Sequence, residues 1–360
     1  MRSALASELA LAGGAGSAHV LDLSAARVLF SSRARVPRIP ASLQKLYTTT
    51  SALLLLGADT RFQTVVLGRG RLEAHGVWRG DLLLEVRGDP RPARGVESLA
   101  GQLTAAGIRR VSGHVRAARS GLAAARSLVR TLRRHGVGAR VGRWAAAPPD
   151  ADELARTRSP SLGRLVTTTN RRSDNSLAET LLDGLGAEFG AARSTAAGAA
   201  VVERQLRRLG VQTRVADGSG LSRANRTSAG AVVRLLEEMS DGPEAAEFER
   251  SLPAPGRNGT LRRRMRGTAA QGRCRAKTGT LSDVSNLAGY CRARNGHRLA
   301  FAFLLNGVIP FHAEHHLDRM AVALARYRSS SSRRSSSPRT STPSRSAFSS
   351  LAPAASPASR

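Results

Sequence analysis

Pro40-Ala41-Ser42-Leu43-Gln44-Lys45-Leu46-Tyr47-Thr48 contains one of only two lysines in a chain of 360 residues; the other is in Ala276-Lys277-Thr278-Gly279-Thr280-Leu281. The remaining 54 of the 56 basic residues are arginine. An amine can lose its proton and act as a base, whereas a guanidinium effectively cannot. The two lysines therefore mark two places where arginine does not serve. The pattern from Ser42 to Leu56 is helical and mostly apolar, and Gly57 ends it. Ser42 and Lys45 are three positions apart, which puts both side chains on one helix face. Serine alone is a weak nucleophile and needs a neighbouring base. Lysine can be that base if burial and nearby positive charge depress its pKa. A helix start also offers the Ser42 backbone N–H to a developing oxyanion, with the helix dipole in support.

Two further motifs carry chemistry. Ser173-Asp174-Asn175 falls in a short connection between two helical patterns, Leu162 to Asn170 and Leu177 to Leu185. Read alone, these residues are helix caps. Read with Lys45, Ser173 can return a proton to a leaving group, and Asn175 can bind a substrate amide and position the lysine. Lys277-Thr278-Gly279-Thr280 falls on a strand. There Lys277, Thr278 and Thr280 can bind a carboxylate, Gly279 can clear room for an extended peptide, and the Thr280 N–H can complete an oxyanion hole.

Ser-x-x-Lys, Ser-Asp-Asn and Lys-Thr-Gly, in that order, form the set shared by penicillin-binding proteins and class A β-lactamases. The quoted nucleophile run resembles that of the D-alanyl-D-alanine carboxypeptidase/endopeptidases, the low-molecular-mass class C penicillin-binding proteins. Gly80-Asp81-Leu82-Leu83-Leu84, Gly88-Asp89-Pro90, Asp217-Gly218-Ser219-Gly220-Leu221-Ser222-Arg223, Leu252-Pro253 and Gly259-Thr260-Leu261 resemble it as well. The resemblance covers most of residues 15 to 310. It implies an α+β fold of the serine β-lactamase/penicillin-binding transpeptidase kind, a five-stranded antiparallel sheet flanked by helices. It implies catalytic roles for Ser42, Lys45, Ser173, Asn175 and Lys277, and substrate binding by Thr278, Gly279 and Thr280. The substrate would be the D-Ala-D-Ala end, or a D-amino-acid cross-link, of a peptidoglycan stem peptide, with β-lactams as inhibitors and no metal or cofactor. Ser42 and Ser173 are 131 positions apart, and the family's insertion there is considerably longer. The match jumps from about Val115 to about Ala123. The expected division is a transpeptidase-like domain at 1–65 and 146–327, a reduced inserted α/β module at 66–145, and a disordered Ser/Arg/Pro-rich tail at 328–360.

Composition narrows the partners. The net charge is +30 and aromatic content is 4%. Scattered arginines and the lack of a nucleic-acid signature argue against specific nucleic-acid binding, while the charge suits an anionic wall polymer. No apolar run reaches the ~18 residues of a membrane span. The N-terminal run to Ala12 is broken by Glu8 without a clear cleavage site, although the implied substrate is extracytoplasmic. His312, His315 and His316 lack a carboxylate or cysteine framework for a metal. Cys274 and Cys291 flank an expected hairpin turn, as a cross-strand disulfide or as two free thiols. Two other readings use the same residues: a β-lactamase or esterase on this fold, and a non-catalytic anion-binding wall or nucleic-acid protein on a decayed scaffold.

Overall fold

The computed structural model describes residues 1–146 and 149–328. Its N-terminal part runs α1 (Arg2–Leu11), β1 (Ala15–Asp22), β2 (Arg27–Ser32) and α2 (Gln44–Leu56). Next come β3 (Gln63–Glu73), β4 (Val77–Arg87), α3 (Val96–Ala105), β5 (Arg110–Val111), β6 (Val115–Ala117), α4 (Leu122–Arg134) and β7 (Asp152–Arg158). Five helices follow: α5 (Leu162–Arg172), α6 (Asn175–Phe189), α7 (Thr195–Arg208), α8 (Ala229–Glu238) and α9 (Ala245–Ser251). The described part closes with β8 (Cys274–Leu281), β9 (Val284–Arg292), β10 (Arg298–Asn306) and α10 (Pro310–Ala325).

The first sheet has the order β2-β1-β10-β9-β8 and is antiparallel throughout. Strand side chains alternate between faces, and both faces of β10 are covered. Ala300, Ala302 and Leu304 join a core with Leu46, Leu53, Leu165, Leu182, Val202 and Val232 from the long helical segment. Phe301, Phe303 and Leu305 join a second core with Leu5 of α1 and Leu317, Met320 and Leu324 of α10. The expected antiparallel sheet flanked by helices is therefore present, with β2 and β8 as its edges.

The second sheet, order β5-β4-β3-β7 with β6 also on β4, packs under α3 and α4. The stretch from Arg110 to Ala117 forms two short strands rather than one, β5 and β6, both parallel to β4. Asp81 is the cause: its carboxylate accepts from the His114 N–H at 2.8 Å and from Arg116 Nε at 2.6 Å. The chain turns aside at Ser112-Gly113 to make those bonds. Strand β7 has no alternation to betray it. Ala155 is its buried residue, and Asp152, Glu153, Arg156 and Arg158 are exposed, a charged edge that discourages further pairing. The tail expected from residue 328 onward lies, beyond Arg328, outside the described residues.

Cys274 lies opposite Cys291 in the β8–β9 register, and the two are joined as a disulfide. The alternative of two free thiols is thereby excluded. The bond ties the edge strand that carries Lys277 to the sheet interior. Closing a loop between residues 17 positions apart removes chain entropy from the unfolded state. The Cys274→Ala/Cys291→Ala protein should lose about 3 kcal/mol of stability in guanidinium titration under non-reducing conditions. Loss of less than about 1 kcal/mol would mean that the hairpin is already ordered in the unfolded chain.

Candidate active site

The nucleophile turn is a short 3-10 segment, Ala41–Leu43, that runs into α2. Two asparagines hold its approach. Asn286 donates to the carbonyls of Ile39 and Pro40 at 3.0 and 2.9 Å, and Asn306 accepts from the Ile39 N–H at 2.8 Å. Ala41 has φ +48°, a left-handed conformation that costs a non-glycine residue about 1–3 kcal/mol and is tolerated only where the surroundings enforce it. They do so here from both sides. A Cβ on Gly220 would lie 1.8 Å from the Ala41 carbonyl oxygen, and one on Gly279 would lie 2.6 Å from the Pro40 carbonyl oxygen. The turn is thus wedged between the 217–220 loop and β8. The sequence assigns Gly279 to clearance for a peptide. In the structure the space above it is filled by the Pro40–Leu43 turn, and the missing side chain lets β8 pass the nucleophile.

Ser42 is half-buried, and Lys45 is fully buried behind it. Lys45 Nζ lies 3.0 Å from Ser42 Oγ, 2.7 Å from Asn175 Oδ1 and 2.6 Å from the Ser219 carbonyl oxygen. Three acceptors match the three N–H bonds of an ammonium. Burial is the dominant influence on its pKa, opposed by Asp217, Glu179 and Asp174, and the result is pushed down to about 8. An amine with that pKa is about one-tenth neutral at pH 7, enough to serve as a base.

Lys277 is also fully buried. Its Nζ reaches Ser173 Oγ at 3.1 Å and the Thr278 carbonyl at 2.8 Å. Burial first, and the charge of Lys45 second, lower its pKa well below the usual lysine value. Ser173 ends α5 in a left-handed conformation, φ +54°. Asp174 caps α6 by accepting from the Leu177 N–H at 2.9 Å, and Asn175 is the first residue of that helix. The cap reading and the catalytic reading of Ser-Asp-Asn are therefore compatible: capping fixes the turn whose flanking residues face the two lysines.

Strand β8 presents its outer edge to the cleft. The Ala276 N–H donates away from the sheet to the Pro253 carbonyl, whereas the Arg273 carbonyl faces β9 and accepts from the Arg292 N–H. Strand alternation then turns the N–H groups of Thr278 and Thr280 outward with that of Ala276. Thr278 Oγ1 donates to Thr260 Oγ1 at 2.8 Å, and Thr280 is exposed. Hydrogen bonds thus join Ser42 and Asn175 through Lys45, and Ser173 to Lys277, while Gly279 of the same strand packs on the Pro40–Leu43 turn.

Several participants escape a reading of the sequence. Ser219 falls in the resembling run Asp217–Arg223, but what it contributes to Lys45 is a carbonyl, which any residue carries. Glu179 holds the 217–220 loop by accepting from the N–H groups of Gly218 and Ser219, both at 2.9 Å. In sequence it is an ordinary acid on a helix. Asn286 is the exception: a polar residue amid the buried run Val284–Tyr290 is a signal that could have been read.

The description "D-Ala-D-Ala carboxypeptidase 3 (S13) family" matches residues 2–126 and 116–327, two segments that overlap at 116–126, near where the sequence match was expected to jump. A D-alanyl-D-alanine carboxypeptidase of Actinomadura sp. is 41% identical over 189 residues, 49% of this chain and 34% of that enzyme. The carboxypeptidase DacB of Mycolicibacterium smegmatis is 28% identical over 350 residues, covering 81% of this chain and 76% of its own. Penicillin binding protein 4 of Haemophilus influenzae superposes with a TM-score of 0.76 at 19% identity, over 90% of this chain and 99% of that one. A predatory peptidoglycan endopeptidase from Bdellovibrio bacteriovorus superposes at 0.59 and 16% identity, over 81% and 85%. These superpositions confirm the α+β fold.

Two measurements check the geometry. Unfolded lysine binds a proton up to about pH 10.4, while folded Lys45 releases it near pH 8. Between those values the unfolded state holds more protons, so stability rises with pH, by about 1 kcal/mol per unit. Wild type should gain that increment relative to Lys45→Met between pH 8 and 9; parallel pH–stability curves would contradict the lowered pKa. Gly279→Ala should displace the nucleophile turn and cut the rate of Ser42 acylation by about a hundredfold. A rate within twofold of wild type would show that the turn can move aside freely.

Proposed function

Because the chain belongs to the D-Ala-D-Ala carboxypeptidase 3 (S13) family, we propose that it is a penicillin-binding serine D-Ala-D-Ala carboxypeptidase/endopeptidase acting on peptidoglycan stem peptides. The observation that carries this reading is the buried Lys45 amine on Ser42 Oγ, with its pKa pushed down to about 8.

Neutral Lys45 takes the Ser42 hydroxyl proton as Oγ attacks the carbonyl carbon between two D-alanines. The oxyanion is held by the N–H groups of Ser42 and Thr280. Thr278, Thr280 and Lys277 bind the terminal carboxylate, and Asn175 binds the peptide amide while fixing Lys45. When the C–N bond breaks, the proton that Lys45 took from Ser42 passes to the departing D-alanine amine through the Ser173 hydroxyl, which lies against Lys277, and Lys45 is neutral again. Water then attacks the acyl-enzyme, Lys45 takes a proton from that water and returns it to Ser42 Oγ as the ester bond breaks, which releases the acid and regenerates the serine. A β-lactam carries the same carbonyl-and-carboxylate pattern and acylates the same serine.

The nearby acids leave little scope for rapid lactam hydrolysis. Glu179 uses both oxygens on the 217–220 loop, Asp174 serves Leu177 and Arg91, and Asp217 accepts from Gly220, Ser222 and Asn225. None is free to activate a deacylating water, so a penicilloyl adduct should persist. This argues against the β-lactamase reading. Action outside the membrane follows from the substrate, and the Cys274–Cys291 disulfide fits an oxidising compartment. No described helix is long and apolar enough to cross a membrane. The net charge of +30 would hold the enzyme near an anionic wall polymer.

Intact-mass spectrometry after incubation with benzylpenicillin should show one stable adduct on wild type and none on Ser42→Ala, which should also lose D-alanine release. Adduct formation should rise with pH through a midpoint near pH 8 and level off about one unit higher, as Lys45 becomes neutral. No adduct on folded wild type, or an adduct retained by Ser42→Ala, would refute the proposal. A rate still climbing at pH 10 would remove Lys45 as the base.

A further inference from the structure

Gly88-Asp89-Pro90 lies outside the catalytic cleft, in the layer built by the second sheet, and the mechanism above gives it no task. Its geometry aims one side chain. Buried Asp89 accepts from the Arg91 N–H at 2.8 Å with one oxygen and from Thr64 Oγ1 at 3.0 Å with the other. This fixes the chain as it leaves β4. Arg91 then starts the 3-10 turn Pro92–Gly95, and its guanidinium pairs with the Asp174 carboxylate. About a fifth of each side chain is exposed, so the pair is shielded more than an ordinary surface bridge. Asp174 uses Oδ1 on the Leu177 N–H and Oδ2 on Arg91. On either side of it, Ser173 meets Lys277 and Asn175 meets Lys45.

We propose that Arg91 is a positioning residue for acyl transfer: from the second sheet layer it clamps Asp174, and so sets the Ser173–Asn175 turn against both catalytic lysines. This rests on the function proposed above. The clamp acts by geometry and by charge. Burial pushes the Asp174 carboxyl up, but the Leu177 N–H, Arg91 and Lys45 outweigh it and hold that carboxyl below its usual range. Lys45 faces Asp217 from the 217–220 loop, Glu179 and Asp174 from α6 and its cap, and Lys277 from β8. Among these Asp174 favours the ammonium, and Arg91 offsets it. Without Arg91 the field of Asp174 on Lys45 grows and the lysine is harder to deprotonate. With Asp174 neutralised the lysine is easier to deprotonate. The two changes have opposite signs, which a loss of packing alone does not produce.

The test is the second-order rate of acylation by benzylpenicillin against pH, for wild type, Arg91→Ala, Arg91→Lys, Asp174→Asn and Arg91→Ala/Asp174→Asn, with thermal melts of each. Asparagine is a good helix cap, so Asp174→Asn keeps α6. Arg91→Ala should slow acylation roughly tenfold and move the midpoint above the wild-type value near pH 8. Arg91→Lys should bring the midpoint back. Asp174→Asn should move it down, and the double variant should be no slower than Asp174→Asn, because Arg91 acts through Asp174. A wild-type rate and midpoint in Arg91→Ala would overturn the proposal. So would a lowered melting temperature with an unmoved midpoint, or rate losses that simply add in the double variant. If wild type itself is not acylated, the proposed function fails and this inference with it; if wild type reacts and Arg91→Ala matches it, only the inference fails.

Discussion

The three hydrogen bonds of Lys45 are the constraint on which the site depends. A lysine amine taken out of water is costly unless each donor finds an acceptor. Its acceptors come from three separate parts of the chain: Ser42 on the 3-10 turn before α2, Asn175 at the start of α6, and the Ser219 carbonyl in the 217–220 loop. Satisfying that amine therefore locks three segments together. The same desolvation that makes Lys45 expensive to bury suits it to the proposed role of base, because it pushes the pKa down to about 8. Stability is given up locally, and chemistry is gained.

The rest of the structure supports that arrangement at close quarters. Behind Lys45, Thr49 Oγ1 bonds the Lys45 carbonyl, and Asn170 joins Thr49 of α2 to Ser251 of α9. In front, the left-handed Ala41 is pressed between Gly220 and Gly279 and tethered through Asn286 and Asn306. The disulfide holds β8 beside β9, so the strand carrying Lys277 cannot drift from the turn it covers. A rigid first sheet, buried on both faces of β10, gives these tethers a fixed base.

Legibility in the sequence follows chemistry and periodicity. Ser42, Lys45, Ser173, Asn175, Lys277 and Thr278–Thr280 could be named because their types and spacing are unusual together, and two lysines among 54 arginines sharpen the signal. Helices α2, α5 and α6 and strand β8 could be placed from their apolar patterns and the motifs they carry. Strand β7, helix α9 and the break between β5 and β6 could not. Charged β7 pairs through its backbone, and the break obeys Asp81, which is about thirty positions away in sequence.

What the sequence by itself determined was the reagent set and the family of fold: a serine with a lysine one helical turn on, a capping Ser-Asp-Asn turn, and a Lys-Thr-Gly strand. Tertiary structure alone decided how these reagents are tuned. It buried both lysines, joined the two cysteines, gave Gly279 the task of clearing the nucleophile turn, and brought Arg91 from another layer onto Asp174. The physical reason is that residue type and local spacing are carried by the chain, whereas desolvation, close backbone approach and long-range ion pairing exist only between segments that folding brings into contact.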